Sequence, residues 1–176
     1  MSPQQRRANP SYQRLLILLA GFVSVHAACL DTVAALPVTT VATVPSLSGR
    51  TGVHPLADLA TVFPEHWKRV DLRSAQVPPA ERRATKSDHF GVFDSREIAG
   101  RHVIVLDDTW VQGGHAQSAA ATLLCAGAVE VTAIVLARRI DPSFRADVMQ
   151  PSLDRMFAPS EYSLEVCPIT GGACPE

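Results

Sequence analysis

The chain has 176 residues, and its composition, 47% hydrophobic and 19% charged, favours one globular domain and excludes a disordered or fibrous chain. Sixteen basic side chains stand against seventeen acidic ones, for a net charge of −1, so there is no global electrostatic grip on nucleic acid or anionic lipid. With aromatic residues at 6%, the stacking surface of a single-strand binder is missing too, and no nucleic-acid partner is expected.

The first apolar run is Leu15 to Val25, preceded by Arg6, Arg7 and Arg14 and followed by HAAC ending at Cys29. A positive flank, a short apolar run and small residues form the layout of a secretory signal. His26, however, stands where a lipoprotein cleavage site wants an aliphatic residue, and the run is shorter than the ~20 residues of a membrane span. The preferred reading is a core-facing helix with Leu15, Leu16, Leu19, Phe22 and Val23 on one face. A cytoplasmic protein without a membrane span is therefore expected, with export through residues 1–28 as the alternative.

Val38 to Val44 is β-branched at nearly every position and stops at Pro45, which predicts a buried strand. Ser46 to Gly52 is a polar, glycine-bearing loop. His54 to Phe63 has Leu56, Leu59, Ala60 and Phe63 at helical spacing, with Pro55 near its start. From Glu65 to Ile98 the chain turns basic (Lys68, Arg69, Arg73, Arg82, Arg83, Lys86, Arg96) around Pro78 and Pro79. That stretch predicts one or two strands joined by a long mobile connection, of the kind that often carries function.

The clearest element is HVIVLDD, His102 to Asp108, an aliphatic strand ending in two carboxylates. Gly113 and Gly114 open a helix from about His115 to Ala126, which Gly127 can cap. Val129 to Ala137 is a further strand, so strand, helix and strand form a parallel unit with a right-handed crossover. Ligands of such sheets bind beyond the carboxyl ends of the strands, where Asp107 and Asp108 are expected. From Arg138 the chain is irregular and punctuated by prolines. The expected organisation is a basic segment over 1–14, an α/β domain over 15–141 with a mainly parallel central sheet flanked by helices, and an irregular proline-rich tail over 142–176.

A glycine loop feeding a helix start offers free N–H groups and the positive end of a dipole, a seat for phosphate. Adjacent carboxylates beside it can accept hydrogen bonds from two sugar hydroxyls or hold a divalent cation through water. Together they point to a ribose phosphate. The bland reading is that the two acids merely end a strand.

The segment VIVLDDTWVQGGHAQSAAATLLCAGAVEVTAIVLAR resembles the phosphoribosyl-pyrophosphate-binding segment of the type I phosphoribosyltransferases, in the style of the competence-protein-F-like (ComF-like) branch. VATVPSLSGRTGVHPLADLA resembles the strand, pyrophosphate loop and helix of that family, and AERRATKSDHFGVF its basic stretch before the motif strand. The resemblance spans roughly Leu15 to Asp141, with its specific part at Val103 to Ser118. It implies Asp107 and Asp108 on the ribose hydroxyls, Thr109 beside them, and Val111, Gln112, Gly113, Gly114 and His115 around the 5′-phosphate. It implies Ser46 and Arg50 on the pyrophosphate side, and Mg²⁺ arriving with the phosphoribosyl pyrophosphate. The implied activity is transfer of the phosphoribosyl group to a nitrogen nucleophile, and part of the family's amino-terminal base-selecting hood is expected to be missing or reduced.

The chain departs from the family pattern in the loop. Val111, Gln112 and His115 stand where the family has hydroxyl side chains, removing three donors to a phosphate. The backbone seat at Gly113 and Gly114 survives, because it needs no side chain. The alternative function is therefore a non-catalytic nucleotide- or phosphoribosyl-binding protein on the same fold. A small phosphoribosyl ligand is the expected partner, and self-association into a homo-oligomer stays open.

The four cysteines are too few and too scattered for a disulfide-built mini-domain. Cys167 and Cys174 flank PITGGA, a spacing that fits poorly with zinc knuckles, so free thiols are expected and no metal ligands are assigned, with a metal site or, in an exported protein, a disulfide as the alternatives. Cys125 reads as a small core residue. Of the six histidines only His115 lies where chemistry is expected. The basic residues from Lys68 to Lys86, interleaved with Glu65, Asp71, Glu81 and Asp88, read as a solvated face, with a pyrophosphate clamp as the sharper alternative.

Overall fold

A computed structural model describes residues 5, 7–48, 54–139 and 163–175. Helix α1 runs Pro10–Val33. The Asn9 side chain caps it by accepting from the N–H groups of Ser11 and Tyr12, and Pro10 sits at the first helical position, where its missing N–H costs nothing. Strand β1 is Val38–Thr43. Helix α2 is Pro55–Leu59, continued by a 3₁₀ turn over Ala60–Val62, so the helix expected over 54–63 is α-helical only in its first half. Strands β2 (Lys68–Ser74) and β3 (Phe90–Val92) follow, then β4 (His102–Trp110), helix α3 (Gly114–Cys125) and β5 (Glu130–Arg138).

The five strands form one sheet in the order β3-β2-β1-β4-β5. The β1–β2, β1–β4 and β4–β5 pairs are parallel, and the short β3 runs antiparallel to β2. The architecture is thus α/β, with a mixed and mostly parallel sheet.

Side chains of a strand alternate between faces, and β4 divides the core accordingly. Val103 and Val105 join Val70, Leu72, Phe90, Ala119 and Leu123 on the α3 side. Ile104 and Leu106 join Leu19, Leu30, Leu56, Leu59, Phe63 and Trp67 on the side of α1 and α2. All four β4 residues are completely buried, the condition of a strand covered on both faces.

Three expectations are corrected. Helix α1 is 24 residues long, long and apolar enough to cross a membrane by length and composition alone. Its Leu19, His26, Cys29 and Leu30 are nevertheless buried within the fold. The connection from Ala75 to His89, expected to be mobile, is docked. Val77 enters the core, the Lys86 N–H donates to Ser118 Oγ at 2.9 Å, and Thr122 Oγ1 donates to the Ser87 carbonyl at 2.8 Å. Cys125, expected in the core, is exposed at the last turn of α3.

The basic face is largely engaged within the chain. Lys68 pairs with Glu97 at 2.9 Å, Lys86 with Glu81 and Arg96 with Asp94 at 2.7 Å. The Arg69 guanidinium donates to the carbonyls of Ala60, Phe63, Pro64 and Trp67. These are the bonds of a self-paired face.

Candidate functional site

Strand β4 does not stop at the acids. It pairs with β5 as far as Thr109 on Ala137 and Trp110 on Arg138, and the Arg139 N–H donates to the Trp110 carbonyl at 2.9 Å. Asp107 and Asp108 therefore lie inside the strand, on opposite faces. Asp107 follows Val103 and Val105 onto the α3 side and is 6% exposed, whereas Asp108 is exposed. The Asp108 N–H donates to Asp107 Oδ1 at 3.0 Å.

Burial pushes the Asp107 carboxyl up to about 6, with a further push from the Asp108 charge. The hydrogen bond from the Asp108 N–H and the His115 imidazole pull the other way and are outweighed. Asp107 is thus a carboxylate held at some cost against its surroundings.

The turn after β4 is governed by two glycines with different duties. Gly113 precedes α3 with φ of +80°, a conformation side chains rarely adopt, and a Cβ there would overlap the Trp110 indole. Gly114 begins the helix directly beneath the Arg83 carbonyl, and a Cβ there would collide with that oxygen. No side chain caps α3. Among the described residues, the N–H groups of Gly114, His115 and Ala116 have no hydrogen-bond partner, while Gly114 and Ala116 are themselves buried. Unpaired donors at a helix start are groups that an anion or water can satisfy.

The resemblance-implied residues sort as follows. Asp107, Asp108, Thr109, Val111, Gln112, Gly113, Gly114 and His115 are contiguous along the end of β4, the loop and the first turn of α3. Ser46 lies in the loop after β1, two residues beyond the Val44 N–H that donates to the Leu106 carbonyl of β4 at 3.0 Å. There Ser46 Oγ shares a 2.7 Å hydrogen bond with Ser48 Oγ. Arg50 lies outside the described residues. Val111 is 56% exposed and points no hydroxyl anywhere. A cleft of about 420 Å³ opens beside this loop, lined by Trp110, Val135, Leu136, Ala137 and Arg138.

A second constellation was not anticipated as a site. The ligand atoms of His26, Cys29, Cys167 and Cys174 lie within 4.8 Å of one another, although α1 and the carboxyl-terminal segment are far apart in sequence. His26 and Cys29 share a helix face at a spacing of three. Cys167 and Cys174 are brought together by a tight turn in which the Gly171 N–H donates to the Cys167 carbonyl and the Cys167 N–H to the Gly172 carbonyl, both at 2.8 Å.

Burial raises the Cys29 thiol to about 11, reinforced by Cys174 and Cys167 beside it. Burial also pushes Cys167 upward. There the N–H groups of Thr170 and Ile169, the Thr170 hydroxyl and the Cys29 thiol overcome that push and bring it down to about 7. The readable cue was an H-x-x-C pair on a helix together with a glycine-turned cysteine pair.

No protein-family model and no curated protein matches the chain.

Proposed function

We propose that the chain binds phosphoribosyl pyrophosphate at the end of β4 and transfers the phosphoribosyl group to a nitrogen nucleophile, on an arrangement akin to the type I phosphoribosyltransferases. The observation that supports this most is the pairing of a buried acid, Asp107, with the glycine turn into α3 and its unpaired N–H groups. The acid accepts from ribose hydroxyls, which donate; the N–H groups donate to the 5′-phosphate, which accepts. Both needs of the protein are met by one small molecule.

In the transfer, the bond from ribose C1 to the pyrophosphate oxygen breaks and the oxygen keeps the electron pair. The bond from C1 to the nucleophilic nitrogen forms, and the nitrogen releases a proton to solvent. The chain contributes positioning and charge stabilisation rather than a covalent nucleophile. Asp108 fits the magnesium that would accompany the pyrophosphate: its carboxylate is exposed and makes no ion pair among the described residues, suiting a hard cation held through water. That ion would supply charge neutralisation on the leaving pyrophosphate.

A second reading, a non-catalytic phosphoribosyl or nucleotide sensor, is favoured by one observation. Val111, Gln112 and His115 carry no hydroxyl and α3 has no side-chain cap, so a phosphate at this turn would rest on backbone N–H groups alone.

Calorimetric titration with phosphoribosyl pyrophosphate and Mg²⁺, with ribose 5-phosphate in parallel, tests the site. Micromolar, Mg²⁺-dependent binding that vanishes in the Asp107→Asn, Asp108→Asn double variant is expected. Unchanged affinity in a double variant with normal circular dichroism would remove the site assignment. Binding without release of pyrophosphate in an amine and nucleobase screen would favour the sensor.

A further inference from the structure

The His26, Cys29, Cys167 and Cys174 cluster stands on the face of the molecule served by α1 and shares no residue with the β4 site. Three sulfurs and one imidazole nitrogen are the donor set of a tetrahedral zinc site. Zn–S bonds of ~2.3 Å and Zn–N bonds of ~2.0–2.1 Å place such ligand atoms about 3.5–3.8 Å apart. Here Cys174 Sγ lies 3.4 Å from His26 Nδ1 and Cys29 Sγ lies 4.0 Å from it, so the separations bracket the requirement.

The histidine is already oriented as a ligand. His26 Nε2 is 2.8 Å from the Leu164 carbonyl, which can only accept, so Nε2 carries the proton. Nδ1 is left with its lone pair toward the sulfurs. A ring N–H fixed on a carbonyl is the support metal-bound histidines have. The ring is 1% exposed, so the orientation is locked by packing as well.

The turn around Gly171, with φ of +74°, folds Cys174 back toward Cys167, and the Thr170 hydroxyl secures it by donating to the Ala173 carbonyl at 2.7 Å. The segment is seated on α1 in other ways too. Leu164 covers Gly21, where a Cβ would lie 3.2 Å from its methyl carbon, and Ile169 packs on the α1-side core.

We propose that His26 Nδ1 and the sulfurs of Cys29, Cys167 and Cys174 bind one structural zinc ion that staples the carboxyl-terminal segment to α1. Four protein ligands close the coordination sphere, which leaves no position for substrate and makes the role structural. Binding releases the thiol protons and leaves sulfur as thiolate; no electron is transferred.

The test uses the full chain, reduced, stripped of metal and titrated with Co²⁺ and then Zn²⁺. One equivalent of cobalt should bind with the visible bands of a tetrahedral site and sulfur-to-cobalt charge transfer, and zinc should displace it. Cys174 lies at the exposed rim, so Cys174→Ser should keep the fold. It should lower the charge-transfer intensity by about a third, two thiolates replacing three, and weaken cobalt affinity by more than about 100-fold, beyond the loss of a supporting hydrogen bond. Cys125→Ser, outside the cluster, should change neither. A fully reduced, folded chain that gives no tetrahedral cobalt spectrum would overturn the proposal. So would a disulfide among Cys29, Cys167 and Cys174 in protein purified under reducing conditions.

Discussion

Asp107→Asn should make the protein more stable at neutral pH and no more stable in acid. The folded-state pKa of about 6 lies above the ordinary 3.8. Below the lower value the side chain is protonated in both states and the substitution changes nothing. Between the two values the unfolded chain has released its proton while the folded chain retains it, so stability falls as pH rises. Above about 6 the full penalty is present. Two units correspond to about 3 kcal/mol, and solvent screening at the strand end reduces this to about 1–2 kcal/mol. For a chain of this size that is a rise in midpoint of about 2–8 °C at pH 7. Asparagine keeps the shape and the Oδ1 that accepts from the Asp108 N–H at 3.0 Å; its Nδ2 brings two new N–H donors, a cost equal at both pH values, so the difference between the two pH values carries the result. Thermal unfolding of both proteins at pH 3 and pH 7, followed by circular dichroism, measures the difference. Equal gains at both pH values, or a loss at pH 7, would refute the argument that burial strains this carboxylate.

Other consequences are as direct. Asp108→Asn should lower the pKa of Asp107, because it removes the neighbouring like charge; carboxyl-carbon NMR titration reads the shift, and an unmoved value would mean that the two charges do not interact. Gly113→Ala should destabilise by at least about 1–2 kcal/mol from left-handed strain alone, with overlap on Trp110 in addition, as read by urea unfolding. Gly114→Ala pushes against the Arg83 carbonyl and should lift the 75–89 connection off α3, seen as faster protease cleavage there; unchanged cleavage would mean that the connection absorbs the methyl. Val111→Thr with His115→Thr should tighten ribose 5-phosphate by about 5- to 100-fold, at ~0.5–1.5 kcal/mol for each restored hydrogen bond. No gain by calorimetry would mean that the loop does not face a phosphate.

The strands were legible because their apolar patterns are local. Val38–Thr43 and His102–Leu106 are buried on both faces, and such strands read as unbroken aliphatic runs. The full length of α1 was less so. Its apolar run ends at Val25, and the helix continues through HAACLDTV, where His26, Cys29 and Leu30 are its buried positions. The Asn9-Pro10 start is itself a local signal, a capping asparagine followed by proline at the first helical position. The extension of β4 past its acids depends on β5 reaching Arg138, a tertiary pairing that no window along β4 contains. The His/Cys cluster was hidden for the same reason at larger scale: each half is an unremarkable pair, and the His26–Leu164 hydrogen bond that joins them spans 138 positions.

The end of β4 breaks two rules of a stable fold within a few residues. A carboxylate is buried where its charge is penalised, and buried helix-start residues keep N–H groups without acceptors. Either could be repaired by one substitution: an asparagine at 107, or a serine or aspartate cap at 113 if the backbone there were not left-handed. Gly113 prevents the second repair, since a Cβ there would overlap the Trp110 indole and its φ of +80° strains a side chain. The surplus is of opposite kinds, an acceptor wanting donors beside donors wanting an acceptor. A ligand carrying hydroxyls at one end and phosphate at the other serves both at once. Where sequences keep such local conflicts, function is the usual reason. The stability gained by Asp107→Asn should therefore be matched by loss of ribose 5-phosphate binding in the same protein. A variant that gained stability and kept its affinity would separate the strain from the site.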